Sequence, residues 1–293
     1  MGLLNGKVAI VTGAGGGLGR AHALELAHEG AAVVVNDLGG AVDGTGGGDR
    51  TADVVVNEIK AAGGRAVADY GSVTSEADAQ AMVDLACSEF GKLDILINNA
   101  GILRDKSFKN MDEQMWDGVV DVHLKGTYYA TKAAYQKLLD QEQGGRIIMT
   151  SSTSGLIGNF GQANYGAAKA GIAGFMRCLA LEGKKANITV NVLVPNAYSR
   201  MTKDLFPEDA DVNFAPEKVS PAATWLCSDE AADITGRQFA VSGNRVTLLY
   251  PAAFTIASRE HGEKPWSVDE IGNLIRQSVE EWPESAQTEK VLF

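Results

Sequence analysis

Three side chains in this 293-residue chain have the types and spacing to move a proton to or from an alcohol or a carbonyl: Ser152, Tyr165 and Lys169. The alanine-rich stretch from Ala163, free of proline until Pro195, predicts a helix. On that helix Tyr165 and Lys169 stand four residues apart and share a face. A phenol titrates near ~10, too high to accept a proton at neutral pH, and a neighbouring ammonium favours the phenolate and lowers that value. Ser152 follows the apolar run 146–150, which reads as a strand aimed at the same place. A hydroxyl donor, a tunable phenol and a fixed cation suit general acid–base work on a C–OH/C=O pair. A Tyr-x-x-x-Lys spacing occurs by chance in many helices, so its weight rests on what the rest of the chain supplies.

The chain supplies a nucleotide cradle at its start. Residues 7–12 form a short β-branched run that flows into Gly13-Ala14-Gly15-Gly16-Gly17-Leu18-Gly19 and then into a helical pattern over 21–28. A glycine string alone is more often a plain turn. Placed between a strand and a helix it predicts a pyrophosphate site, because glycines let the backbone approach closely and the helix N-terminus offers free N–H groups. A second strand, 32–36, ends in Asp37. An acid at that position accepts hydrogen bonds from an adenosine ribose and repels a 2′-phosphate, which favours NAD over NADP; the bland alternative is that Asp37 caps a loop. The 38–50 stretch, with six glycines, reads as a mobile surface loop.

Further strands are expected at 65–69, 93–97, 146–150, 187–195 and 236–241. Helices are expected at 51–62, 75–90, 111–124, 126–140, 163–185 and 221–227, with one more near 268–282. Strands and helices alternate, which predicts an α/β doubly wound parallel sheet. Asn98-Asn99-Ala100-Gly101 follows the fourth strand and falls beside the expected cofactor, and the irregular, polar residues 196–220 read as a lid or substrate loop. Residues 1–242 are expected to form the dinucleotide-binding domain and 243–293 an extension packed on it.

Composition narrows the function classes. Apolar residues make up 45% and charged residues 22%, enough to fill a core, and a net charge of -11 argues against nucleic acid or an anionic membrane as partner. Cys87, Cys178 and Cys227 lack paired spacing, and the four histidines are scattered, so neither a disulfide framework nor a metal site is expected. No apolar run is long enough to span a bilayer, and the N-terminal residues lack a signal-peptide core.

Four pieces now stand in order: Thr12-Gly13-x-x-x-Gly17-x-Gly19, Asn98-Asn99-Ala100-Gly101, Ser152, and Tyr165-x-x-x-Lys169. Together they resemble the short-chain dehydrogenase/reductase family. The resemblance implies a Rossmann fold, Tyr165 as acid/base, Ser152 polarising the substrate oxygen, and Lys169 holding the nicotinamide ribose. It also implies cofactor contacts from Gly13, Gly17, Leu18, Gly19, Asp37, Asn99, Ala100, Gly101, Tyr165, Lys169, Pro195 and Thr202. The stretches 35–40, 99–105, 158–165 and 195–202 are similar to the (3R)-hydroxyacyl-CoA dehydrogenase subgroup of the multifunctional type 2 enzymes. That similarity implies a (3R)-hydroxyacyl-CoA substrate, with a 17β-hydroxysteroid or a ketoacyl substrate as alternatives and a non-catalytic nucleotide-binding protein as a remote one. Lys106, Lys109, Arg200 and Lys203 could meet the phosphates of CoA, although loop charges are usually only solvated. The resemblance further implies a homodimer or homotetramer through the helices at 126–140 and 163–185.

Three departures stand out. The family's Asn-Val-Asn appears as Asp121-Val122-His123, Pro-Gly after the sixth strand is Pro195-Asn196, and the acid near the adenine has no clear counterpart at Asp69 or Gly71. The C-terminal Val291-Leu292-Phe293 is no peroxisomal address, so a cytoplasmic protein is expected.

Overall fold

The computed structural model describes residues 2–48, 50–198 and 210–282. Among the described residues, eight strands form one sheet: β1 (Val8–Thr12), β2 (Ala32–Asn36), β3 (Arg65–Asp69), β4 (Ile95–Asn98), β5 (Gly145–Thr150), β6 (Ile188–Asn196), β7 (Gln238–Ser242) and β8 (Arg245–Leu249). Their order is β3-β2-β1-β4-β5-β6-β7-β8, parallel up to β7. The helices are α1 (Gly17–His28), α2 (Thr51–Ala61), α3 (Glu76–Phe90), α4 (Glu113–Val120), α5 (Gly126–Gln141), α6 (Ala163–Gly183), α7 (Ala210–Asn213), α8 (Ser220–Leu226) and α9 (Val268–Ser278).

The central strands read as unbroken apolar runs because both faces are covered. Alternate residues point to opposite faces. Ala9, Val11, Val33, Val35, Ile95 and Ile97 pack under α1, α2 and α8. Val8, Ile10, Val34, Leu96, Ile147 and Met149 pack under α3, α5 and α6. Strand β1 lies between β2 and β4, so the chain winds outward from it in both directions. The crevice beyond the carboxyl ends of β1 and β4 is the topological switch point, where open α/β sheets bind ligands.

Two features depart from the sequence expectations. Strand β8 runs antiparallel to β7, paired from Ser242–Arg245 to Gln238–Leu249. The link is the two-residue turn Gly243-Asn244, with Gly243 at φ 54, a hairpin signal present in the sequence. The stretches expected as separate helices at 111–124 and 126–140 are one rod, α4 to α5, joined by a π-helical segment, Asp121–Lys125. One wide turn there rotates the residues that follow and turns His123 inward, where it is 2% exposed.

Candidate active site

The glycine turn is held by the next strand over. Thr12 Oγ1 accepts from the backbone N–H of Asn99 at 3.0 Å and of Ala100 at 3.1 Å, while Asn99 Nδ2 donates to the carbonyls of Thr12 and Gly13 at 3.0 and 3.1 Å. Asn99 therefore ties β1 to β4 at the bottom of the crevice. Gly13 sits at φ 63, and a Cβ there would meet Ala100 Cα at 2.7 Å. A Cβ at Gly19 would stand 2.2 Å from Gly13 O. Neither position can take a side chain, so the first turn of α1 presents bare backbone to the crevice. Asp37 ends β2 on the opposite lip. Its Oδ2 accepts from Gly15 N at 2.7 Å and its Oδ1 from Gly39 N at 2.8 Å, which fixes the carboxylate plane and leaves each oxygen a second lone pair. Side-chain-free glycines and an oriented acid are what a nicotinamide dinucleotide's pyrophosphate and ribose require.

Ser152, Tyr165 and Lys169 converge on the same cavity, of about 790 Å³, from β5 and α6. Ser152 Oγ accepts from Ser154 N at 3.2 Å, and its hydroxyl meets the Tyr165 phenol. Lys169 Nζ lies 5.5 Å from the Tyr165 ring centroid and donates to Thr150 O at 2.7 Å. Burial pushes the Tyr165 phenol up to about 12, only partly offset by the Ser152 hydrogen bond. Burial also pulls the Lys169 ammonium down to about 7. Desolvation opposes the charged form of each group, and the ammonium is turned to the Thr150 carbonyl.

His123 stands edge-on to Tyr165, ring centroids 5.0 Å apart at 87°. Its Nε2 lies 3.1 Å from Ile102 N and 2.7 Å from Ile102 O, so the tautomer decides which of the two it serves. Nδ1 is buried without a partner among the described residues. Burial first, then the Lys169 charge, hold this imidazole well below its ordinary value, so it is neutral at working pH. Gly101 makes room for it, because a Cβ there would meet His123 Cε1 at 2.3 Å.

A family model described as "short chain dehydrogenase" matches residues 7–210. The chain belongs to the short-chain dehydrogenases. It is therefore an oxidoreductase acting on CH–OH groups. It is 50% identical over 245 residues to mouse peroxisomal multifunctional enzyme type 2, a match covering 84% of this chain and 33% of that enzyme, so the chain spans about a third of that relative's length. It is 42% identical over 283 residues to the hydroxyacyl-CoA dehydrogenase ChsB1 of Mycobacterium tuberculosis, covering 91% of this chain and 84% of that one. Among solved structures, a short chain dehydrogenase from Mycobacterium avium superposes with TM-score 0.85 at 42% identity, covering 97% of this chain and 98% of that one. The carveol dehydrogenase of Mycobacterium avium in complex with NAD superposes with TM-score 0.75 at 28% identity, covering 82% of this chain and 97% of that one.

In this short-chain dehydrogenase the structure brings together most of the expected site. Gly13, Gly17, Leu18, Asp37, Asn99, Ala100, Gly101 and Pro195 line one cavity with Ser152, Tyr165 and Lys169. Gly19 lies one layer behind, under the Gly13 carbonyl. Thr202, Arg200 and Lys203 lie outside the described residues. Asp69 does not line the cavity: it accepts from Asn36 Nδ2 and from Gly71 N, and the wall beside it is Gly71, Ser72 and Val73.

The glycine-rich stretch after Asp37 is more than a surface loop. Leu38, Gly40, Ala41, Val42 and Gly44 line the cavity, Val42 O accepts from Leu103 N at 3.0 Å, and Asp43 O accepts from Arg104 Nε at 2.8 Å. Nothing in its local pattern announces this, since its partners lie some 60 residues away. His123 is visible in the sequence only as a departure from the family pattern; its burial depends on the π turn.

Proposed function

We propose that this short-chain dehydrogenase catalyses the reversible, NAD-dependent oxidation of the 3-hydroxyl of a (3R)-hydroxyacyl-CoA to the ketone. The observation that carries the reading is the convergence of Ser152, Tyr165 and Lys169 on a cavity that runs from the glycine turn and Asp37. Gly13, Gly17, Leu18, Gly19, Asn99, Ala100, Gly101, Pro195 and Thr202 are assigned to the cofactor, with Asp37 on the adenosine ribose and Lys169 on the nicotinamide ribose. The nicotinamide supplies the hydride acceptor. The chain's own residues handle the proton. Ser152 donates to the substrate oxygen, Tyr165 takes the hydroxyl proton as phenolate, and Lys169 supplies the cation that makes the phenolate tolerable. In the reverse direction the neutral phenol that burial favours is already the proton donor.

The acyl-CoA assignment draws on ChsB1, a hydroxyacyl-CoA dehydrogenase by name, which this chain matches along most of both lengths. Support for NAD comes from the Asp37 carboxylate, which opposes a 2′-phosphate, and from the NAD complex of the carveol dehydrogenase. A 17β-hydroxysteroid is the second reading. An NADPH-dependent ketoacyl reductase is disfavoured by Asp37. Residues 1–242 are taken as the dehydrogenase domain and 243–293 as its extension. A homo-oligomer through α5 and α6 accounts for the exposed Tyr128 and Leu181 on those helices. A cytoplasmic location is consistent with the described residues, among which no helix is long and apolar enough to cross a membrane.

The test is NADH formation with a (3R)-hydroxyacyl-CoA and a 17β-hydroxysteroid side by side, for the wild type and Tyr165→Phe. The expected result is thioester preference and a loss of roughly 100- to 10,000-fold in the phenylalanine variant. Near-normal turnover by Tyr165→Phe would sink the proton-transfer role; steroid preference would replace the substrate.

A further inference from the structure

The segment 102–106, which carries no regular structure, lines the cavity through Ile102, Leu103 and Arg104 and is bonded on both sides. Toward the cofactor side Leu103 N donates to Val42 O at 3.0 Å. Toward α6, Arg104 O accepts from Asn164 Nδ2 at 3.2 Å, Asp105 Oδ2 accepts from Gln162 Nε2 at 2.7 Å, and Lys106 N donates to Gly161 O at 2.8 Å. Gln162 is the unusual member. It is 7% exposed, it lines the cavity, and both polar atoms of its side chain are used.

Its partners allow one amide orientation. Asp105 is an acceptor and must face Nε2; Asn159 Nδ2 is a donor and must face Oε1, at 3.2 Å. Oε1 also accepts from Ser154 Oγ at 2.7 Å. Ser154 in turn donates its backbone N–H to Ser152 Oγ at 3.2 Å. That bond occupies one lone pair of the Ser152 hydroxyl, which leaves its own hydrogen to point into the cavity, toward Tyr165 and the substrate oxygen. A carboxylate, an amide and a hydroxyl thus hold Ser154 in place, and its backbone N–H in turn fixes the Ser152 hydroxyl.

We propose that Gln162, oriented by Asp105, is a positioning residue that aims the Ser152 hydroxyl through Ser154. The proposal rests on the reading of Ser152 as the residue that polarises the substrate oxygen. Gln162 stands at the N-terminus of α6, one turn before Tyr165, so the same amide also fixes where that helix begins relative to the 153–155 turn.

The experiment is a swap. Gln162→Glu places two carboxylates face to face and is expected to lower kcat roughly 10- to 100-fold on the alcohol the enzyme oxidises best. KM for NAD stays unchanged, because Gln162 lies outside the glycine cradle. Adding Asp105→Asn restores a donor–acceptor pair with reversed polarity, while the carboxylate introduced at position 162 still accepts from Ser154. The double variant is expected to recover to within roughly 3-fold of wild type. A Gln162→Glu protein with wild-type kcat, or a double variant no better than the single, overturns the proposal. Should Gln162→Glu not fold, Gln162→Met, which leaves every charge around Tyr165 in place, reads the same contacts: a kcat loss of roughly 5- to 20-fold supports the proposal and an unchanged kcat overturns it. Ser152→Ala is measured in parallel. Wild-type turnover there would bring down the active-site reading together with this proposal, whereas loss in Ser152→Ala with a flat swap removes the Gln162 role alone.

Discussion

Replacing Lys169 by methionine should abolish turnover and yet make the folded protein more stable near neutral pH. Lys169 is 3% exposed, and burial pulls its ammonium from 10.5 to about 7. A fall of that size corresponds to ~4–5 kcal/mol needed to hold the charged form inside the fold. Methionine fills a similar volume at a packing cost below ~1.5 kcal/mol. The Thr150 carbonyl loses its donor, now at 2.7 Å, which costs about 1–3 kcal/mol. The balance is a gain of ~1–3 kcal/mol, or a rise in Tm of roughly 2–5 °C for a chain of this size. The sign with pH follows from the direction of the shift. The folded state releases its proton near 7 and the unfolded state near 10.5, so the wild type gains stability as pH rises through that window. The advantage of Lys169→Met is therefore full below pH 7 and fades toward pH 10. Thermal unfolding followed by circular dichroism from about pH 6 to about pH 9.5 checks both points. A variant less stable than wild type at the acid end, or an advantage that does not change with pH, would refute the reasoning that the lysine is kept for chemistry against the interest of stability.

Asp37→Ser removes the charge that opposes a 2′-phosphate, and kcat/KM with NADP should rise relative to NAD by roughly 10- to 100-fold, read from steady-state kinetics with both cofactors. Gly19→Ala pushes a methyl to 2.2 Å from Gly13 O and 2.5 Å from Asn99 Nδ2. That substitution should cost about 1–3 kcal/mol by urea unfolding and raise the Kd for NAD more than about tenfold by fluorescence titration. His22, buried with Nδ1 2.9 Å from Ser220 Oγ, is lowered by burial to about 4. Its neutral form contributes stability above pH 6.5 that is lost as pH falls toward 4, by up to ~3 kcal/mol. Urea midpoints at about pH 7.5 and about pH 5 should fall further apart for wild type than for His22→Gln; equal gaps would contradict this.

The candidate site residues are legible in the sequence because each sits at a position defined by local pattern. The glycines follow a β-branched run and open a helix, Asp37 closes the next such run, and Tyr165 and Lys169 share a face at helical spacing. Period and punctuation are local properties, and they are enough to name a doubly wound sheet and to predict that β1 and β5 deliver their loops to one edge of it. The strands β1 to β7 and the helices around them fall close to where those patterns place them. Even β8, absent from the sequence expectations, carries a local sign in Gly243-Asn244.

What only the tertiary structure decided depends on burial and on partners far along the chain. The phenol of Tyr165 rises and the ammonium of Lys169 falls because the fold removes water from both, and no spacing rule reports desolvation. Val42 and Leu103, Gln162 and Asp105, and His123 and Ile102 meet across 21 to 61 residues of chain. The π turn that brings His123 inward adds one residue to a helix whose sequence reads as ordinary. Sequence by itself determined which groups are candidates for the chemistry and on which elements they ride. The fold decided their charge states and their aim, because desolvation and hydrogen-bond direction are set by everything packed around a side chain and not by its neighbours in the chain.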